Sequence, residues 1–181
     1  MGENNIQNIQ YHSIVSLQAI DEPLDIKFAV NSGMGISLDP TSDPTFVGLV
    51  ESAMIALIKG KAPRLEEQST GGTYRLFDPN NEPLAMLKPS DEEAFAPQNP
   101  RGNVGICGSP GFMKGTYSAT GASREVAAYL LDHDGFSNVP RTSFAKAKHP
   151  NLNNPSGASV WKNGSIQEYV PSAGHAGDYL G

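Results

Sequence analysis

The stretch "YRLFDPNNEPLAMLKP", residues 74–89, constrains the fold more than any other part of the chain. Two strand-like runs, "STGGTYRLFD" and "EPLAMLKP", lie either side of the turn chemistry of "DPNNE". Proline, aspartate and asparagine between such runs predict a hairpin, with a loop longer than the tightest two-residue kind. A hairpin imposes antiparallel pairing. The expected class is therefore α+β, an antiparallel sheet with one or two packed helices. The second run ends in Lys88, and Pro89 follows at once. Proline has no N–H to give to a sheet, so pairing should weaken just past the lysine. Asp91, Glu92 and Glu93 come next and are expected to be solvated, or to attract a basic partner.

Two segments carry helical periodicity. In "FVGLVESAMIALIKG", Val47, Val50, Met54, Leu57 and Ile58 recur at helical spacing, and Gly60 supplies a stop. That stripe reads as core. In "TGASREVAAYLLDHDG", Thr120 or Ser123 can cap a helix over Arg124 to Asp132. Val126, Tyr129 and Leu130 share one face there, and Gly135 can end it. Residues 90–119 read as a long glycine-containing loop. "NVPRTSFAKAK" reads as a strand, and "ASVWKNGSIQEYV" as a strand, a Lys-Asn-Gly turn and a short apolar run. Trp161 is expected to fill the sheet face. Residues 1–45 read as an extended arm, with "SIVSLQAI" and "LDIKFAV" as short strands and "NSGMG" and "LDPTSDPT" as turns. Residues 46–181 then form the main domain.

Composition removes several function classes. With a formal charge of −6 and no basic run, nothing predicts nucleic-acid binding. Cys107 is the one cysteine, so no intrachain disulfide and no multi-cysteine metal site can form. His12, His133, His149 and His175 are scattered and make no ligand pattern, so no metal site is expected. The start is polar and no apolar run reaches membrane-spanning length. A cytoplasmic protein, peripheral at membranes at most, is the expectation.

The order of chemistry-bearing residues suggests a use. Gly71 and Gly72 precede the first hairpin strand, and a backbone without side chains can approach an anion closely. Lys88 on the next strand can reach the same anion as a point charge. Glu125 in the following helix can hold that lysine extended. Together these are the parts of the nucleotide-holding half of a kinase. Bland alternatives stand beside each residue. A lysine at a strand end commonly snorkels to the surface, Glu125 can pair with any surface cation, and Tyr74 and Tyr129 suit a core.

Several separated motifs strengthen the kinase reading. "GGTYRLFDPNNEPLAMLKPSDEEAFAPQNPRG", then "REVAAYLLD", "FSNVPRT" and "GSIQEYVPSAGHAGDY", resemble in order the amino-terminal lobe of plant gamma-type phosphatidylinositol 4-kinases. These belong to the wider phosphatidylinositol 3- and 4-kinase family, and the resemblance covers roughly residues 47–181. It implies a protein-kinase-like lobe that binds ATP. Gly71, Gly72, Thr73 and Tyr74 match the loop over the phosphates, Lys88 the lysine that contacts them, and Glu125 the helix acid facing it. Gln167, Glu168, Tyr169 and Val170 match the hinge, whose backbone would meet adenine. In a complete protein the γ-phosphate would pass to an inositol lipid hydroxyl, or to a protein hydroxyl as the alternative.

The chain departs from the family after the hinge. Phosphoryl transfer needs a group to orient the attacking hydroxyl and carboxylates to hold Mg²⁺. Asp134, Glu168 and Asp178 do not sit in an Asp-x-x-x-x-Asn or Asp-x-Gly setting. No catalytic or metal-binding residue is therefore assigned, and Mg²⁺ would need a missing carboxyl-terminal lobe. Three expectations stay open: a truncated piece of a complete kinase, a degenerate lobe that still binds nucleotide, or a non-catalytic interaction module. A cleft floor left uncovered by a second lobe would favour self-association.

Overall fold

The computed structural model describes residues 34–38 and 45–172. Its elements are β1 (Gly35–Leu38), α1 (Thr45–Ile58), β2 (Arg64–Leu65), β3 (Tyr74–Phe77) and β4 (Pro83–Pro89), then α2 (Gly121–Leu130), β5 (Thr142–Lys148) and β6 (Lys162–Glu168). The strands form one antiparallel sheet in the order β1-β5-β6-β4-β3-β2.

The hairpin predicted from "DPNNE" joins β3 to β4. Asp78 makes the turn: its Oδ1 accepts from the amides of Asn80 and Glu82, each at 2.8 Å. Asn81 takes the positive φ of 72° that the reversal needs. In β4 side chains alternate, so Ala85 and Leu87 face one way while Met86 and Lys88 face the other. Ala85 and Leu87 join Leu76, Ala145, Ala147 and Ile166 in a core that α1 covers with Phe46, Leu49, Val50, Ala53 and Leu57. Fully burying each large side chain there contributes about 1.5–3 kcal/mol. The opposite face carries α2, which packs on β5 and β6.

Five expectations need correction. The α1 stripe is rotated: Phe46, Leu49 and Ala53 are buried, whereas Val47 is 44% exposed. Val50 and Leu57 stay inside, and the small Ala53 and Ala56 bring the helix close to the sheet. In α2 only Ala122 and Val126 are buried, and Leu130 is exposed. Gly35 lies in edge strand β1, paired with Lys148, rather than in a turn. The other strands and turns read in residues 1–33 and 39–44 lie outside the described residues. Trp161 does not fill the sheet; it is 54% exposed, with its indole against Gly35, where an added Cβ would sit 2.9 Å from the ring.

Lys162, Asn163 and Gly164 form no turn. They run straight through β6. Glycine is required at 164 for proximity: a Cβ there would lie 2.2 Å from the carbonyl oxygen of Lys88.

His149 follows β5 and is buried, with its Nδ1 accepting from the Asn151 amide at 2.9 Å. Burial pushes its pKa below the ordinary value. The unfolded chain takes up this proton near pH 6.5 and the folded chain only lower. The stability that neutral His149 contributes is therefore complete above about pH 6.5 and declines as pH falls below it. Urea unfolding of wild type and His149→Gln across pH 5–8 should show the wild-type slope flattened in the variant. Equal slopes would remove His149 as its source.

Candidate functional site

A cleft of about 320 Å³ opens on the α2 face of the sheet. The β2–β3 connection borders it through Ser69, Thr70, Gly71, Gly72 and Thr73, α2 through Gly121, Arg124 and Glu125, and β4 through Lys88. A hairpin-like part of the long loop, including Phe112, Met113 and Tyr117, lines the remaining side.

Lys88 and Glu125 meet in this cleft. The lysine Nζ donates to Glu125 Oε1 at 2.8 Å and to Gln167 Oε1 at 3.3 Å. Alternation places Lys88 and Gln167 on the same sheet face, because Gln167 stands opposite Met86 across the β4–β6 ladder. Gln167 Nε2 donates to Thr142 Oγ1 at 3.0 Å and lies 3.5 Å from Glu125 Oε2. The lysine is thus held extended from two sides. An ammonium has three N–H donors. Two are used among the described residues.

The other sequence-predicted site residues divide. Gly71, Gly72 and Thr73 line the cleft beside Lys88. Tyr74 does not. Its side chain is 1% exposed, and its hydroxyl donates to Glu92 Oε2 at 2.5 Å and accepts from the Asn153 amide. Burial, then the Glu92 hydrogen bond, pushes its pKa far up. Glu168 is held by Arg141 in two parallel contacts, Nε–Oε2 at 2.7 Å and Nη2–Oε1 at 2.9 Å. That pairing keeps its carboxyl below the usual range. Tyr169 donates its amide to Leu84, and its ring lies 5.3 Å from the Arg75 guanidinium. Val170 is exposed.

The glycine pair serves a purpose the sequence reading missed. The Gly72 amide donates to the Glu92 carbonyl at 2.8 Å, and the Gly71 amide to Ser69 Oγ at 3.3 Å. A Cβ on Gly72 would lie 2.3 Å from Glu92 Oε2. Both glycines first allow the acidic segment to pack beneath the loop.

That segment is neither solvated nor waiting for a separate partner. Glu92 is fully buried, with Lys162 Nζ 2.8 Å from its Oε1. The same ammonium donates to Asp91 Oδ2 at 3.0 Å and Gln98 Oε1 at 2.7 Å. Burial raises the Glu92 pKa, opposed by its hydrogen bonds from Lys162 and Tyr74. Glu93 turns the other way and accepts from the Gly121 amide at 2.8 Å. The predicted cap therefore fails: Thr120 makes no side-chain cap, and its hydroxyl donates to the Tyr117 carbonyl. The sequence carried one faint signal, a glycine opening the helix. A Cβ at Gly121 would lie 2.7 Å from Glu93 Oε1.

Among the described residues, no cluster of three or more metal-ligating side chains exists, and no helix is long and apolar enough to cross a membrane. No family model matches the chain. Curated relatives do. It is 37% identical over 137 residues to phosphatidylinositol 4-kinase gamma 8 of Arabidopsis thaliana, covering 75% of this chain and 26% of that protein. Phosphatidylinositol 4-kinase gamma 3 of the same plant is 37% identical over 147 residues, covering 72% and 26%. A rice relative, phosphatidylinositol 4-kinase gamma 4, is 34% identical over 146 residues, covering 75% and 25%. The chain thus spans about a quarter of the length of the curated relatives it matches. Over the region it shares with them, the chain resembles the plant gamma-type phosphatidylinositol 4-kinases.

Proposed function

We propose that this chain is the ATP-binding lobe of a phosphatidylinositol 4-kinase-like enzyme. One observation carries the reading: a strand lysine and a helix glutamate, 37 residues apart, meet at 2.8 Å beside a glycine-containing loop. A strand lysine paired with a helix glutamate is the arrangement by which kinases hold nucleotide phosphates. The residues fit a nucleotide in part. Lys88 and Arg124 supply positive charge, and Ser69, Thr70 and Thr73 supply hydroxyls around one cleft. β6 ends with Gln167 and Glu168, and Tyr169 and Val170 follow at once, where a hinge would meet adenine. Bound ATP would supply the transferable phosphoryl group, with Mg²⁺ held by groups elsewhere in a complete protein. There the acceptor would be an inositol lipid hydroxyl, or a protein hydroxyl.

A second reading, a non-catalytic interaction module, draws support from Gly72. Its amide is already engaged by Glu92, so the loop offers one donor fewer to phosphate. Thermal melts with and without millimolar Mg-ATP separate the two. At about 100 times its dissociation constant a ligand adds about 2.7 kcal/mol. Wild type should shift upward and Lys88→Ala should not. Without nucleotide the variant should stay within about 1 kcal/mol of wild type, because the Lys88–Glu125 pair is partly exposed. No shift in wild type would favour the interaction module.

A further inference from the structure

We propose that Glu93 is a positioning residue that sets α2 along its axis so that Glu125 meets Lys88. The inference rests on the nucleotide-cleft reading only for its consequence, since the grip itself is geometric. The segment from Lys88 to Glu93 holds α2 at two points one helical turn apart. Glu93 accepts from the amide of Gly121, the first helical residue, and Lys88 pairs with Glu125, four residues later. The helix has no side-chain cap of its own. A carboxylate arriving from 28 residues upstream satisfies an amide that would otherwise lack an intrahelical partner, and it complements the positive helix end.

Glu93 is itself anchored from behind. Asn99 Nδ2 donates to the Glu93 carbonyl at 3.0 Å and lies 3.3 Å from that of Glu92. The Gly72 amide holds the Glu92 carbonyl, and Lys162 and Tyr74 hold the Glu92 side chain. The partners of Glu92 lie on the α1 side of the sheet, and the partner of Glu93 lies on the α2 side. The glycine-containing loop, the acidic segment and α2 thus form one connected unit around the cleft. A shift of α2 along its axis would break the Glu93 cap and the Lys88 pair together.

The test reads Lys88 directly and needs no nucleotide. Each lysine of the folded protein is labelled with a trace of acetic anhydride and quantified by mass spectrometry. An ion-paired amine reacts slowly. Glu125→Ala should raise the Lys88 rate about fivefold, the upper end for a partly exposed pair. Glu93→Ala should match it, and Glu93→Gln, which keeps an acceptor oxygen, should remain near wild type. Lys146 and Lys148 on β5 should not change, which a general loosening would not allow. If Glu93→Ala unfolds and all rates rise, Glu93→Asp, one methylene too short, is read in the same way. An unchanged Lys88 rate in the Glu93 variants, or in Glu125→Ala, overturns the proposal. An unshifted melt with Mg-ATP alongside the expected labelling pattern would reject the nucleotide reading while leaving the positioning role standing.

Discussion

Lys162→Met should destabilise the folded chain by about 3–5 kcal/mol at neutral pH. Lys162 is 1% exposed at its side chain and Glu92 is 0% exposed, with 2.8 Å between them. Removing the cation leaves a buried carboxylate with the Tyr74 hydroxyl as its remaining side-chain partner. Asp91 and Gln98 lose their ammonium donor as well. The pH dependence identifies the cause. Burial already raises the Glu92 pKa, and loss of Lys162 raises it further. A raised folded pKa means that the group favours folding at low pH and that this contribution is lost as pH rises through the folded value. The deficit of Lys162→Met should therefore shrink as pH falls into the carboxylate range. Glu92→Gln placed on the same background should recover part of it at pH 7. Urea unfolding at pH 5, 7 and 8 measures both, and a loss under 1 kcal/mol at pH 8 would mean that water reaches this pair.

Gly164→Ala should cost about 3 kcal/mol or more, above the usual range for an added methyl group. The new Cβ would sit 2.2 Å from the Lys88 carbonyl oxygen and 2.9 Å from the Pro89 Cα. Both obstacles are backbone, held in the β4–β6 ladder where Pro89 stands opposite Gly164. No rotamer change relieves such a contact, so the strands must separate at the position that carries Lys88. The variant should lose its Mg-ATP shift along with its stability. A melting temperature equal to wild type would show that β4 and β6 do not approach this closely.

The hairpin was legible in the sequence because its cause is local. Asp78, Asn80 and Asn81 make their turn from their own side chains and dihedrals, whatever the rest of the chain does. The two helices were legible as segments for the same reason, and so was the strand Thr142–Lys148. The pairing of Lys88 with Glu125 was also foreseen, first from the order of chemistry-bearing residues and then from the motifs shared with a known family.

What only the tertiary structure decided is where charges and glycines find their partners. Asp91, Glu92 and Glu93 look alike in sequence, yet one is fully buried on Lys162 and its neighbour caps a helix on the other side of the sheet. Those partners lie 70 and 28 residues away, and no local pattern announces them. The sequence read Gly72 as part of a loop and Gly164 as part of a turn, and gave Gly121 no role. Each is a place where another segment comes too close for a methyl group. Periodicity reports which residues avoid water along one element. Contact between elements depends on how the sheet stacks its strands, and that is settled only when the whole core closes.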